Sequence, residues 1–181
     1  MKNKHLIVIF VIVIGVIICG VSSVRNNYRL GRDIYYSALD MSVQSRGLAD
    51  SIGYLLEEIE NLDENNEGIS THSFEQAIVD VHLHFGHVAV PLTEEVHLEW
   101  IKVFDDIFQH RVVNKSSEYI VKIIEEEADK WTELKNQLEN MAQCFEEFCE
   151  QYDQMSNLER GFTSWESVQK TLSDRIGTSN Y

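Results

Sequence analysis

Histidine is the reactive side chain this sequence distributes most unevenly, with five of seven falling between His72 and His97. His82, His84 and His87 read His-x-His-x-x-His. Asp80, His84 and His87 stand at i, i+4 and i+7, which brings those three to one face of a helix. Imidazole nitrogens and a carboxylate at that spacing can surround zinc, copper or nickel, so Asp80, His82, His84 and His87 are the candidate metal ligands. The same cluster suits a pH-responsive face, because imidazole gains its charge as pH falls toward about 6. On a helix this face lies about 110° from the centre of the Phe74/Ile78/Val81/Phe85/Val88 stripe, at the flank of the apolar side, where ordinary surface or interface histidines also sit.

Other chemistry is sparser. Glu94-x-x-His97 is half of the motif that holds iron in di-iron bundles, and no second copy stands on a supporting apolar stripe. Cys144 and Cys149 lie about 140° apart around a helix, which suits two partly buried thiols and prevents a bridge between them. There is no Gly-rich phosphate loop, no HExxH, no CxxC and no nucleophile elbow. The sequence therefore carries no catalytic motif and implies no cofactor, and the chain is expected not to be an enzyme.

Charge narrows the partners. The 181 residues hold 30 Asp+Glu against 15 Lys+Arg, a net charge of −15. No Lys or Arg occurs between Arg46 and Lys102, a stretch that holds 12 acidic residues. Nucleic-acid binding needs clustered basic side chains to displace phosphate counterions, so it is excluded. A solvated bundle face, a basic partner or cations fit this surface.

The elements that would position these groups begin with an apolar run. Leu6 to Val21 holds no charged residue, and residues 6–24 give a helix of roughly 28 Å at ~1.5 Å per residue, enough for a lipid bilayer. Two readings compete: an uncleaved signal anchor, and a signal peptide cut near Gly20-Val21-Ser22 or Val21-Ser22-Ser23. The run exceeds the usual ~7–15-residue signal core, which favours the anchor. Ile18 before Cys19 is too large for a lipoprotein signal. Lys2 and Lys4 precede the run, while Arg25, Arg29 and Arg32 follow it at i, i+4 and i+7, a membrane-proximal basic face able to meet anionic headgroups. The short basic start favours a cytoplasmic tail and an extracytoplasmic domain. The expected organisation is residues 1–24 as the transmembrane anchor and residues 25–181 as one acidic helical domain.

Helical rhythm dominates that domain. A first long helix runs from about Arg25 to Leu62 on Ile34, Ala38, Met41, Ser45, Leu48, Ile52, Leu55, Ile59 and Leu62, spaced 4,3,4,3 as in coiled coils. Gly47 and Gly53 interrupt it and are candidates for close helix approach. A second helix opens with Ser73/Gln76 as a capping box, or with Thr71 as cap, and ends at Pro91. Thr93 can cap a third, whose stripe is Ile101, Phe104, Phe108 and Val112, widened by Trp100 and Ile107. A last long helix spans about Ser117 to Met155, with its seam on Trp131, Leu134, Leu138, Met141, Phe145, Phe148, Tyr152 and Met155, extended upstream by Val121, Ile124 and Ala128. Ser156 to Gly161 reads as a break. Thr163-Ser164-Trp165-Glu166 then caps a short helix that stops at Gly177.

The fold class is all-α: an N-terminal transmembrane helix followed by an elongated antiparallel helical bundle. If Pro91 is a turn, the middle helices form a hairpin beside the distal halves of the long pair and the short C-terminal helix covers the proximal halves. If Pro91 is a kink, the bundle has three long helices. An anchor followed by long antiparallel helices resembles, in architecture alone, the extracytoplasmic bundle of bacterial chemoreceptors, without their second span or signalling parts. That implies a single-pass protein at the cell membrane, working through contacts with an unidentified protein partner or with itself.

Overall fold

In the computed structural model, residues 2–61, 69–87 and 91–177 are described, with side chains from residue 9 onward except those of residues 86 and 87. Among the described residues the chain forms seven α-helices and one π-helical turn, with no strand. They are α1 (Lys2–Glu60), α2 (His72–His87), α3 (Glu94–Asp106), the π-helical turn Ile107–Val112, α4 (Ser117–Glu126), α5 (Ala128–Gln154), α6 (Asn157–Phe162) and α7 (Trp165–Ile176). The molecule is an all-α helical bundle.

The apolar run and the first bundle helix are one continuous element. The 59 residues of α1 extend about 88 Å at ~1.5 Å per residue. Its first part is long and apolar enough to cross a membrane: an 18-residue window there has mean hydropathy 2.1, and none of it is buried. Its second part is the spine of the bundle. Ile34, Ala38, Met41, Ser45, Leu48, Ile52 and Leu55 are all at most 1% exposed, so the 4,3 rhythm identifies the inward seam, as expected for helices meeting at a shallow angle. Ser45 belongs to it by placing its Oγ 3.2 Å from Met141 Sδ.

α5 packs antiparallel along α1. Tyr35 stacks on Tyr152 at 4.6 Å, and Arg46 grips both carboxylate oxygens of Glu146 further along. α2 returns beside the distal part of α1, and α3 packs back on α2, with Phe85 and Phe104 meeting edge to face at 4.7 Å. Pro91 and Leu92 lie buried in a bend between two separate helices, so the proline marks a turn and the four-helix arrangement holds. The short α7 packs against α5 and α1 on the proximal side.

Three local expectations are corrected. The last long helix is broken at Glu127, whose backbone leaves helical geometry (φ −119°, ψ 30°). Arg111 donates to the Glu127 carboxylate there and lies over the Trp131 ring at 5.8 Å. Upstream of this break it is Ile120, not Val121, that shares the core with Ile124. The stripe after Thr93 is centred on Val96, Trp100, Phe104 and Ile107, with Ile101 and Phe108 only partly buried. A five-residue step then separates Ile107 from the buried Val112. The π-helical turn, with Val113 N–H donating to Phe108 O at 2.9 Å, accommodates that step by adding one residue to the turn.

The caps also differ. α2 starts directly after Thr71, so Thr71 and not Ser73 is its cap residue, and Thr71 Oγ1 bonds Glu75 and Ser117. Thr93 and Ser164 precede α3 and α7 without a side-chain cap bond. Instead Thr93 N–H donates to Ser173 Oγ at 2.7 Å, tying the α2–α3 turn to α7. Finally, Ser156–Gly161 is no simple break: it contains α6, held by a complete capping box in which Glu159 N–H and Ser156 N–H each find the other residue's side chain.

Candidate functional site

The histidine segment is carried on α2, whose apolar side (Phe74, Ile78, Val81, Phe85) is sunk in the core. That burial sets the rotation of the helix and leaves the histidines at its edges. His82 Nδ1 lies 3.0 Å from Asp105 Oδ1 on α3, and its ring stacks on Phe108 at 4.5 Å. His84 turns to the other side. Its Nδ1 sits 2.6 Å from the backbone oxygen of Asp80, and its Nε2 sits 3.6 Å from Asp40 on α1. The Asp80 carboxylate accepts from Gln76 Nε2 at 2.9 Å.

The side chains of Asp80 and His82 thus bond to Gln76 and Asp105, His84 bonds to the backbone of Asp80 and faces Asp40, and His87's side chain lies outside the described residues. Among the described residues no group of three or more His, Cys, Asp or Glu side chains converges. What the arrangement does chemically is tie α2 to α3 and to α1 through two imidazole–carboxylate pairs.

His97, from the Glu94-x-x-His97 pattern, stacks parallel to Phe85 at 6.1 Å. Its Nδ1 is buried without a hydrogen-bond partner, and burial pushes its pKa below the ordinary histidine value. Cys144 and Cys149 are buried free thiols, and burial pushes Cys149 up to about 11, so neither is poised to react.

The basic residues after the apolar run are all on the surface. Arg25, Arg29 and Arg32 share a shallow hollow with Tyr28, and only long contacts to Asp33 (3.9 Å from Arg29, 3.8 Å from Arg32) engage the last two. Such exposed pairs contribute little energy. These arginines therefore form an outward basic collar just past the apolar stretch.

Beside that collar lies a feature the sequence reading passed over. Ile17, Gly20, Val21 and Val24 of α1 and Leu158 and Phe162 of α6 line an open apolar groove of about 850 Å³. α6 reaches this place because Gly161 lies so close to Val24 that a Cβ there would come within 2.6 Å of Val24 Cγ1. Asn27 Nδ2 also donates to Gly161 O at 3.3 Å. One turn further, Gly31 is equally required: a Cβ would lie 2.0 Å from the indole of Trp165. The close approaches are thus at Gly31 and Gly161. Gly47 has open space, and Gly53 meets only the flexible end of Lys135. The available signal for α6 was the Ser156-x-x-Glu159 spacing.

No family model, curated protein or solved structure matches the chain.

Proposed function

We propose that this is a single-pass, membrane-anchored helical bundle, with its acidic domain extracytoplasmic, that acts through protein contacts as a sensor-like, scaffold or accessory component. The observation that carries this reading is the unbroken α1. One rigid helix joins a fully exposed apolar segment to the core seam, so displacement at either end is felt at the other. The outer face of the same helix exposes Tyr36 (60%), Val43 (62%) and Tyr54 (53%). At 100° per residue these three fall within about 20° of one line, an apolar strip suited to a protein partner or a second copy. No catalytic role is assigned.

Carbonate extraction of cells making the full chain tests the anchor. The protein is expected in the membrane pellet, and deletion of residues 2–24 is expected to release it. A soluble product that keeps its first twenty residues overturns the proposal. Digestion of the domain by protease added to intact cells is expected from the orientation, and digestion only after lysis reverses it. A photo-crosslinker at Val43 is expected to give an adduct larger than the chain, whereas one at the buried Ile52 is not.

A second reading rests on the His82–Asp105 and His84–Asp40 pairs: a pH- or metal-responsive face using the Asp80, His82, His84 and His87 cluster. Calorimetry of the protein with zinc, copper and nickel addresses the metal. Binding no tighter than millimolar, or unchanged when His84 and His87 become alanine, ends the metal reading.

A further inference from the structure

α6 is six residues long, far below the length at which a helix holds itself together in water. Its support comes from neighbours. The Ser156–Glu159 box caps it, Gly161 and Asn27 seat it on α1, and Arg160 donates to Tyr152 O at 2.9 Å with its guanidinium 4.2 Å over the Tyr152 ring. These contacts define the inner side of α6. The outer side carries Leu158 and Phe162 at i and i+4, exposed by 68% and 70%. That matches the large apolar side chains of the apolar run, among which Val16 reaches 67%. Two large apolar side chains are therefore held out into the surroundings by specific bonds. They are held beside Ile17, Val21 and Val24, at the same level along α1 as the last apolar turns before Arg25.

We propose that α6 is an interfacial membrane anchor, with Leu158 and Phe162 inserted among the acyl chains of the leaflet from which α1 emerges and lipid filling the groove between α6 and α1. This rests on the reading of α1 as a spanning helix, and the continuity of the groove with the apolar surface of that helix selects lipid as its occupant. Residues alongside Ile17–Val21 lie at the acyl–headgroup boundary, where a short helix with a polar side and large apolar side chains settles. The collar of Arg25, Arg29 and Arg32 begins one turn beyond, at the depth of the phosphates, and supplies charge complementary to them. The domain is then attached at two points, and its tilt and rotation on the bilayer are set. The capping box explains itself as the device that keeps the second point formed.

The test uses the full chain with Cys19→Ala, since Cys144 and Cys149 are buried. Single cysteines replace Ile12, Leu158, Phe162 or Leu83 (an exposed apolar residue of α2), each labelled with an environment-sensitive fluorophore. The proteins are reconstituted in phosphatidylcholine vesicles at two protein-to-lipid ratios. Quenching by lipids with a nitroxide high on the acyl chain is expected at positions 158 and 162, severalfold above that at position 83. Position 12 is expected to respond best to a nitroxide deeper in the chain. Quenching at 12 with none at 158 and 162 overturns the interfacial anchor and leaves the span standing. No quenching at 12 removes the span and the anchor with it. A fluorescence shift at 158 that follows protein density and ignores the lipid quencher shows a second copy in the groove and also overturns the proposal.

Discussion

Beside the collar, α6 and α7 close onto α1 by steric fit: Gly31 admits the Trp165 indole and Gly161 admits Val24. The α2–α3 hairpin closes onto the rest of the bundle differently. It too buries aromatic rings, but its edges are fastened by His82–Asp105 and His84–Asp40, and His97 is stacked inside it. The proximal contacts leave no room for added volume at Gly31 or Gly161. The hairpin holds its polar groups at its margins, and burial sets the His97 pKa below the ordinary histidine value. The two regions thus join the rest of the bundle by different means, shape beside the apolar stretch and side-chain pairs at the edges of the hairpin.

The sharpest way to break the contrast is to remove the wedge. Trp165→Ala is expected to cost about 3–5 kcal/mol, as for other buried tryptophans, read by urea unfolding of the full chain in detergent micelles. A cost below about 1 kcal/mol would mean that the base is not held by fit. Next is Gly31→Ala, expected to cost about 1–3 kcal/mol by overpacking. Made in the Trp165→Ala background the same change should cost much less, since the indole it meets is gone, and a double-mutant cycle measures the difference. Gly47→Ala is the control: it meets nothing within 4 Å and is expected to be neutral or to gain up to about 1 kcal/mol from helix propensity.

Smaller again is Ser156→Ala, which removes half of the α6 capping box and should cost about 1 kcal/mol. Its clearest readout is faster amide exchange confined to α6. The last prediction sharpens the hairpin side. Desolvation lowers the His97 pKa, so below the ordinary value of about 6.5 the unfolded chain takes up a proton that the folded chain refuses. Stability therefore falls as pH drops through about 6.5 and below. His97→Phe keeps the stack on Phe85 and is expected to flatten that slope in unfolding curves recorded from pH 7.5 to 5.5. An unchanged slope would assign the pH response to other groups.

Much of the architecture was legible in the order of residues. The seams of α1, α2 and α5 are the 3–4 rhythms of their apolar side chains, and Pro91 marks the turn because its ring and missing N–H cannot continue a helix. α7 ends at Gly177, whose φ of +70° suits glycine. Legibility failed where a distant residue decided a local event. No proline or glycine stands at Glu127, and the break there accompanies a bond from Arg111, sixteen positions away. The candidate metal ligands shared a helical face, but their partners, Asp105 and Asp40, come from other helices.

By itself, then, the amino-acid sequence determined helicity, the inward face of each long helix and the apolar run from Leu6 to Val21. These follow from local periodicity and side-chain transfer energies, which depend on near neighbours. Tertiary structure alone decided that Gly31 and Gly161 are the indispensable glycines and that α6 presents Leu158 and Phe162 beside the end of the apolar run. It also decided that His82 and His84 face carboxylates on two other helices. Each of these depends on which surfaces meet across more than a hundred residues of chain or between separate helices, and helical periodicity carries no information about that.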